Sequence, residues 1–296
     1  MLVSPVFEKM VNYRSKINDT LAVLVLYETL LEHCESFLSL SKNLKNSGSK
    51  MDIVVYDNSP EPVYETEARF ENWNIHYIHD MSNPGVSKAY NEGFKIGKKL
   101  DKKWLLLLDQ DTTFPEDALM KYFDSMDYYK NSVLFAPVLI INNKIYSPSK
   151  YYLKRGFHLK SINAGLNTIR NKTLLNSGMC ISLAAFEKTG GFNEKVKLYF
   201  SDFNFIDKYR RHYTGFIVLD TICEHKMFTI ENKNAQSQLR RFIYFCEGAR
   251  NSSDNCVDFC IYFSFAFLRA IKLSITCKTF GFIRVFFHNF LKNKRY

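Results

Sequence analysis

The stretch that decides the fold is Lys103–Pro115, with the sequence KWLLLLDQDTTFP. Its four consecutive leucines are typical of a short strand that is buried on both faces. The run ends at two carboxylates one residue apart, Asp109 and Asp111. In an open α/β fold such a strand ends at the carboxyl edge of the sheet, where these folds bind their ligands.

Asp109 and Asp111 therefore form a candidate metal site. Two carboxylates at this spacing suit a hard divalent cation, Mg²⁺ or Mn²⁺, and these cations usually accompany phosphate groups. A solvated loop is the alternative, but neighbouring carboxylates at the end of a buried strand repel each other unless a cation binds them. The stretch thus predicts a metal-dependent enzyme that acts on a phosphorylated or nucleotide-linked substrate.

The sequence before Lys103 alternates between predicted strands and predicted helices. Strands are predicted at 21–27, 51–56, 75–78 and 104–108, and helices at 30–44 and 87–100. This alternation indicates a parallel sheet with crossover helices, whose strand ends gather at one edge. We therefore expect Asp57, which follows the second strand, to face the same crevice as Asp109 and Asp111.

The sequence after Pro115 gives fewer regular patterns. A helix is predicted at 116–129, and strands are predicted at 133–141 and 216–220. The polar stretch 142–172 lacks a clear period, and we expect either a mobile loop or an acceptor-side insertion there.

The net charge of +10 is concentrated at the C-terminal end. Residues 269–296 include seven Lys or Arg and no Asp or Glu, and residues 259–267 include five aromatic side chains. This composition favours helices that lie on an anionic membrane surface. A helical pair packed on the catalytic domain, with a basic outer face, is the alternative. Nucleic acid is not an expected partner, because no RNA- or DNA-binding motif is present.

The domain and location predictions follow from the same features. We expect a catalytic domain over residues 1–255 and an amphipathic basic tail over 256–296. The N-terminus lacks a signal-peptide core, and no apolar run reaches the ~18–20 residues that a membrane-spanning helix needs. These features predict a cytoplasmic protein that is peripheral on the cytoplasmic face of the inner (plasma) membrane.

Two further motifs precede the acidic pair. Asp57-Asn58-Ser59-Pro60 follows a predicted strand, and a simple Asx-turn would explain it equally well. The segment Asn83–Gly93 (NPGVSKAYNEG) is a turn that runs into a helix. Gly85 permits close backbone approach there, and the helix N-terminus offers N–H groups to an anion. A plain helix cap is the alternative for this segment.

In order and spacing, the three motifs resemble the nucleotide-binding half of a family 2 glycosyltransferase with the GT-A fold. The sequence Leu-Asp-Gln-Asp at 108–111 is most similar to the rhamnosyltransferase subgroup, and so is the segment Arg240–Asn251. The resemblance covers roughly residues 18–255. It implies a mixed, mostly parallel sheet flanked by helices, followed by a C-terminal aromatic and basic helical tail.

The resemblance also implies roles for individual residues. Asp57 would bind the pyrimidine base of a dTDP- or UDP-sugar, Asp109 the ribose or the sugar, and Asp111 the metal, with Asp109 and His225 as further ligands. A structural histidine is the alternative for His225. The implied donor-binding residues are Tyr27, Asp57, Asn58, Asn83, Gly85, Lys88, Asn91, Asp109 and Gln110.

The general base is implied to follow a Gly-Gly-Phe turn, here Gly190-Gly191-Phe192. Many relatives carry several acids in the next segment, whereas this chain has Asp202 and then Asn204. Asp202 is therefore the candidate catalytic base, with Asp207 as a fallback. A carboxylate that removes the acceptor hydroxyl's proton suits an inverting displacement. The alternative makes Asp202 an acid that stabilises a helix N-terminus.

The resemblance implies an inverting transfer of a sugar, with dTDP-rhamnose the best single donor, to a lipid-linked saccharide of a surface polysaccharide such as O-antigen or capsule. UDP-hexose and galactofuranosyl transfer are alternatives within the same fold. A phosphatase of the haloacid dehalogenase type would use Asp109 as nucleophile and Asp111 as acid/base. That motif normally ends the first strand of its domain, whereas here other strands precede it. A non-catalytic protein that binds nucleotide-sugars is the remaining alternative.

Overall fold

A computed structural model describes residues 5–64, 70–226 and 235–291, with side chains from residue 12 onward. The helices are α1 Pro5–Asp19, α2 Glu35–Ser47, α3 Val86–Lys99, α4 Ala118–Tyr128, α5 Leu183–Thr189, α6 Ser201–Tyr209, α7 Ala235–Asn251, α8 Cys256–Thr276 and α9 Gly281–Val285. The strands are β1 Thr20–Leu26, β2 Met51–Asp57, β3 Trp73–His79, β4 Trp104–Asp109, β5 Thr112–Thr113, β6 Leu134–Ile141, β7 Lys144–Tyr152, β8 Arg155–Leu159, β9 Gly165–Thr168, β10 Lys172–Thr173, β11 Cys180–Ser182 and β12 Gly215–His225. A 3₁₀ turn, Leu31–His33, precedes α2, and a π-helical segment, Phe286–Leu291, follows α9.

All described strands belong to one mixed sheet. Its main order is β10-β7-β6-β11-β4-β1-β2-β3, and β3, β2, β1 and β4 are mutually parallel. β11 lies antiparallel between β4 and β6, and β12 runs parallel to β6. The predicted α/β fold with a mixed sheet is confirmed. Its parallel part consists of the strands that carry the acidic residues, and most later pairings are antiparallel.

The sheet is covered on both faces, which explains the apolar runs 21–26 in β1 and 104–108 in β4. On β1, Ala22 and Leu24 join one core cluster with α2 and α4, while Leu21 and Val23 join the other with α3, α5 and α6. α3 lies very close to β1, because a Cβ at Gly93 would come within 2.4 Å of Val23. This close packing fixes the N-terminal end of α3 above the carboxyl edge of the sheet.

The prediction of an irregular loop at 142–172 is wrong, whereas the alternative of an acceptor-side insertion stays a prediction. The stretch forms β7, β8 and β9, with β7 paired to β6 and β9 paired to β12. Asn142 and Asn143 form the tight turn between β6 and β7, both with positive φ. The predicted strand at 216–220 also continues to His225, because its later residues pair with β5 and β6.

The C-terminal helices form a third core cluster of their own. Phe242 and Phe245 of α7, Tyr262 of α8 and Phe282 of α9 are buried in it, and Phe200 packs against it. The structure therefore shows the tail as helices packed on the preceding domain. Within the described residues, no helix has the length and apolarity needed to cross a membrane. Lys292, Lys294 and Arg295 of the basic tail lie outside the described residues.

Candidate active site

Asp109 is the last residue of β4, and its carboxylate is held in place by α3. Asp109 Oδ1 accepts a hydrogen bond of 2.8 Å from the hydroxyl of Tyr90. Burial, together with the charge of Asp109, raises the pKa of Tyr90 well above its usual value. Tyr90 therefore remains a neutral donor, and it fixes the orientation of the Asp109 carboxylate.

Asp109, Asp111 and His225 form a compact group whose potential ligand atoms lie within 4.8 Å of one another. His225 ends β12, which pairs with β5 directly after the acidic loop. His225 Nδ1 lies 2.7 Å from Thr112 Oγ1, and Thr112 Oγ1 lies 2.8 Å from Ser177 Oγ. His225 Nδ1 also lies 3.5 Å from Asp111 Oδ1, so the imidazole ring lies between Thr112 and the acidic pair.

The chemistry of these three residues fits a divalent cation. Burial raises the pKa of Asp111 to about 6; the charge of Asp109 adds to this effect and His225 opposes it. Holding both carboxylates ionised so close together is unfavourable without a positive charge. Carboxylate oxygens suit Mg²⁺ and Mn²⁺, so the chemistry of this group fits either ion.

Asp202 lies in the first turn of α6, near the same group. Its Oδ1 accepts a hydrogen bond of 2.8 Å from the backbone N–H of Phe203. Burial, and then the charge of Asp109, raises the pKa of Asp202 to about 7. A carboxylate with a pKa near neutrality is suited to accept and release a proton. Asp202 therefore has the electrostatic properties that a general base needs.

The fallback base, Asp207, has a different environment. Its carboxylate accepts a hydrogen bond of 2.9 Å from the Tyr151 hydroxyl and lies 2.8 Å from Lys154 Nζ and 3.2 Å from Arg210 Nε. A carboxylate with these partners is a structural ion-pair partner. The geometry thus favours Asp202 over Asp207.

Asp57 is fully buried at the end of β2. Its carboxylate accepts hydrogen bonds from the N–H groups of Ser59 and Val63 and from the Tyr77 hydroxyl, at 2.9, 2.9 and 2.5 Å. Burial alone would raise the pKa of Asp57, but these hydrogen bonds outweigh burial and hold it below its usual value. The bond to Ser59 is the Asx-turn that the sequence left open. Contact between Asp57 and a base stays a prediction.

Tyr27 and Asn58 directly follow β1 and β2, and the N–H of Asn58 donates to the carbonyl of Leu26. The N–H of Tyr27 donates to Gln110 Oε1 at 2.9 Å, and Gln110 Nε2 donates to Thr29 at 2.8 Å. Gln110 thus links the loops after β1 and β4. Asn58 is buried, and its Oδ1 has no hydrogen-bond partner among the described atoms.

The segment Asn83–Gly93 contacts other parts of the protein in this structure. The N–H of Val86 donates to the carbonyl of Lys197, and a Cβ at Gly85 would come within 2.1 Å of that carbonyl oxygen. The close approach at Gly85 is therefore to the protein backbone, and the N–H of Val86 is not available to an anion. Asn83 has a positive φ, and its N–H donates to Asp80.

Lys88 and Asn91 also have protein partners. Lys88 Nζ lies 2.8 Å from Glu92 and 3.6 Å from Glu194. Asn91 Oδ1 accepts from the N–H of Phe192, and Asn91 Nδ2 donates to the carbonyl of Phe192 and to Glu194. These bonds attach α3 to the turn that leads to Asp202. Donor contacts by Lys88 and Asn91 stay predictions.

The comparison with known families decides what kind of protein carries this site. The family model described as glycosyl transferase family 2 matches residues 28–188, more than half of the chain. The chain belongs to glycosyl transferase family 2. The haloacid dehalogenase interpretation of Asp109 and Asp111 has no support from this match. Asp202 and His225 lie beyond the matched residues, so their roles rest on the geometry described above.

Solved structures of Staphylococcus aureus TarS have a similar fold. The crystal structure of TarS 1–349 is 14% identical, with a TM-score of 0.50 over 90% of this chain and 80% of that one. TarS 1–349 in complex with UDP-GlcNAc is 13% identical, with a TM-score of 0.53 over 92% of this chain and 81% of that one. At these identities the likeness shows the fold alone. No curated protein sequence matches the chain.

Sequence reasoning missed three residues of this candidate site. Tyr90 orients Asp109, while Thr112 and Ser177 connect His225 to the N–H of Asp109, which donates to Ser177 at 3.2 Å. Thr112 follows the acidic pair directly, so its position in the sequence could have marked it as a residue of the site. Ser177 had no such mark, because it is far along the chain and reaches the site through the loop before β11.

Proposed function

We propose that this family 2 glycosyltransferase is an inverting, metal-dependent enzyme that transfers a sugar from a nucleoside diphosphate to a lipid-linked saccharide. The observation that carries the proposal is the group of Asp109, Asp111 and His225, whose potential ligand atoms lie within 4.8 Å of one another. The charge of Asp109 also acts on Asp202, whose pKa burial raises to about 7. A metal site alone would not need a further carboxyl, Asp202, with a raised pKa of its own. A single base is what an inverting displacement requires.

Each residue of the site has a task in this reaction. Asp109, Asp111 and His225 would hold Mg²⁺ or Mn²⁺, which when bound neutralises charge on a diphosphate leaving group. Tyr90 keeps Asp109 oriented, and Thr112 keeps Nδ1 of His225 engaged. Asp202 accepts the proton of the acceptor hydroxyl as that oxygen attacks the anomeric carbon, and the bond from the anomeric carbon to the diphosphate breaks.

The donor proposal is dTDP-rhamnose. Its support is the sequence resemblance at Leu108–Asp111 and Arg240–Asn251. UDP-sugars are the second candidate, and the structure of TarS with UDP-GlcNAc is the observation that favours them. The proposed acceptor is a saccharide precursor of a surface polysaccharide at the cytoplasmic face of an anionic inner membrane, consistent with the basic C-terminal helices.

A thermal-shift panel tests this proposal. The protein is heated with dTDP-rhamnose, UDP-glucose, UDP-galactose, UDP-N-acetylglucosamine or GDP-mannose, each with Mn²⁺ or with EDTA. A ligand that binds the native state raises the melting temperature by mass action. We expect one donor to stabilise the protein only when Mn²⁺ is present. The absence of a shift with every donor would contradict the proposal.

A further inference from the structure

The outer face of α8 is largely apolar, with Ser264 and Lys272 as polar residues within it. Val257, Leu268 and Ile275 are 68%, 62% and 72% exposed and recur at the helical period on one side. The opposite side, from Asp258 to Ser274, is buried against the protein. A surface helix normally exposes its polar side, so α8 presents an apolar stripe outward. Contiguous exposed apolar surface marks an interaction site.

The tip of the β7–β8 hairpin extends this stripe. Leu153, which is half exposed, lines an open groove of about 510 Å³ together with Val257, Cys260, Ile261 and other residues of α8. Arg155 follows in the same hairpin, and its guanidinium carbon lies 5.1 Å from the centre of the Phe265 ring. We call the outer face of α8 (257, 260, 261, 264, 265, 268, 272 and 275) with the hairpin tip (152–155) the α8 face.

The charges of the α8 face indicate what covers it. Arg155 and Lys272 are exposed cations, and the single acid of α8, Asp258, is buried and lies 3.1 Å from Lys154. A second copy of this chain would bring the same cations to the contact and no acid from α8. A surface of anionic lipid supplies both the apolar environment for the stripe and the negative charge for its basic residues.

We propose that the α8 face is a docking surface for anionic membrane lipid, with α8 lying in the interface plane. The inference rests on the proposed function in one respect, since a lipid-linked acceptor gives the enzyme a reason to bind there. Lys154 bridges Asp207 of α6 and Asp258 of α8, at 2.8 and 3.1 Å. The face is thus tied to the helix that begins beside Asp202, so docking would fix the orientation of the candidate base relative to the membrane.

The test is co-sedimentation of the full chain with vesicles of phosphatidylglycerol and phosphatidylcholine, against vesicles of phosphatidylcholine alone. The face variant is Leu268→Glu with Ile275→Glu. The control is Met120→Glu with Tyr128→Glu on α4, two exposed apolar residues that receive the same added charge. We expect the wild type to bind only the anionic vesicles. The face variant should lower the partition coefficient by about tenfold or more, and the control should bind like the wild type.

A single charge reversal provides a second, milder variant. Lys272→Glu should weaken binding about fivefold or more, whereas Lys130→Glu, an exposed lysine after α4, should not. Absence of wild-type binding to anionic vesicles would overturn the proposal. So would equal binding by the face variant and its control. A face variant that converts a dimer to a monomer in sedimentation velocity, with unchanged vesicle binding, would identify a contact between copies instead.

Donor binding separates this proposal from the proposed function. The thermal shift with donor and Mn²⁺ is measured on the wild type and the face variant without vesicles. An intact shift in the face variant, together with lost vesicle binding, supports the docking surface. A wild type that binds vesicles but no donor would overturn the proposed function and leave the docking surface standing.

Discussion

The protonation state of the Asp202 carboxyl affects both catalysis and the stability of the protein. Burial raises its pKa to about 7 in the folded protein, whereas an unfolded chain has the ordinary value near 4. The folded state therefore binds this proton more tightly. Its contribution to the free energy of unfolding is full below about pH 4 and is lost as the pH rises to about 7. Above that pH, Asp202 is ionised, as a general base must be, and the buried charge lowers the stability of the folded protein.

Asp202→Asn separates these two effects. The amide cannot accept the proton, so we expect turnover to fall by about 10²–10⁴-fold while donor binding remains. In the metal-free protein at pH 8, the variant should melt at a higher temperature than the wild type, and the difference should shrink toward pH 4. Melting curves over this pH range and steady-state rates check both statements. Normal turnover would exclude Asp202 as the base.

Thr112 contacts His225 but is not itself one of the three candidate metal ligands. Thr112→Val keeps the shape of the side chain but removes the 2.7 Å contact with His225 Nδ1. Removing such a partner typically weakens metal binding by about 10–100-fold, and Thr112→Ser should restore it. Calorimetric titration with Mn²⁺ measures the change. If valine and threonine proteins bind Mn²⁺ equally, His225 is not held for a metal by this contact.

At the scale of elements, α3 holds the turn before α6 through Asn91. Asn91→Ala removes the bonds to Phe192 and Glu194. A positioning role predicts that kcat falls by about tenfold or more while donor affinity stays near that of the wild type. A role in donor binding predicts weaker donor affinity instead. Lys95→Ala, an exposed position on the same helix, is the control. Calorimetry for the donor and steady-state rates distinguish the two roles.

The elements differ in how far their sequence could predict them. β1, β2 and β4 are buried on both faces, so their apolar runs gave bounds within one or two residues. β7 and β8 are partly exposed and pair antiparallel, and the turn between them uses Leu153 and Lys154 at positive φ. Such turns usually carry Asn or Gly, so the local sequence did not indicate a hairpin here. The partners of Asn91, Phe192 and Glu194, lie about a hundred residues away, and no local pattern could predict them.

At the scale of the whole molecule, the aromatic cluster joins the catalytic domain to the C-terminal helices. Phe200 has a positive φ directly before α6, and its ring lies 4.9 Å from Phe245 and 5.1 Å from Tyr262. A large side chain in this conformation is strained and needs support from its surroundings. The boundary predicted at residue 255 therefore runs through a shared core, since Phe245 lies before it and Tyr262 after it.

Deletion of residues 256–296 tests whether the tail is an independent membrane element or part of the catalytic fold. The deletion removes Tyr262 and exposes Phe242 and Phe245, so we expect a lower melting temperature and a loss of turnover even with a water-soluble acceptor. A tail that served only as an anchor would leave both unchanged. The Leu268→Glu, Ile275→Glu variant keeps the aromatic core and should retain turnover in that assay. The contrast between the two proteins would show that the inner side of α8, and not its outer side, supports the catalytic fold.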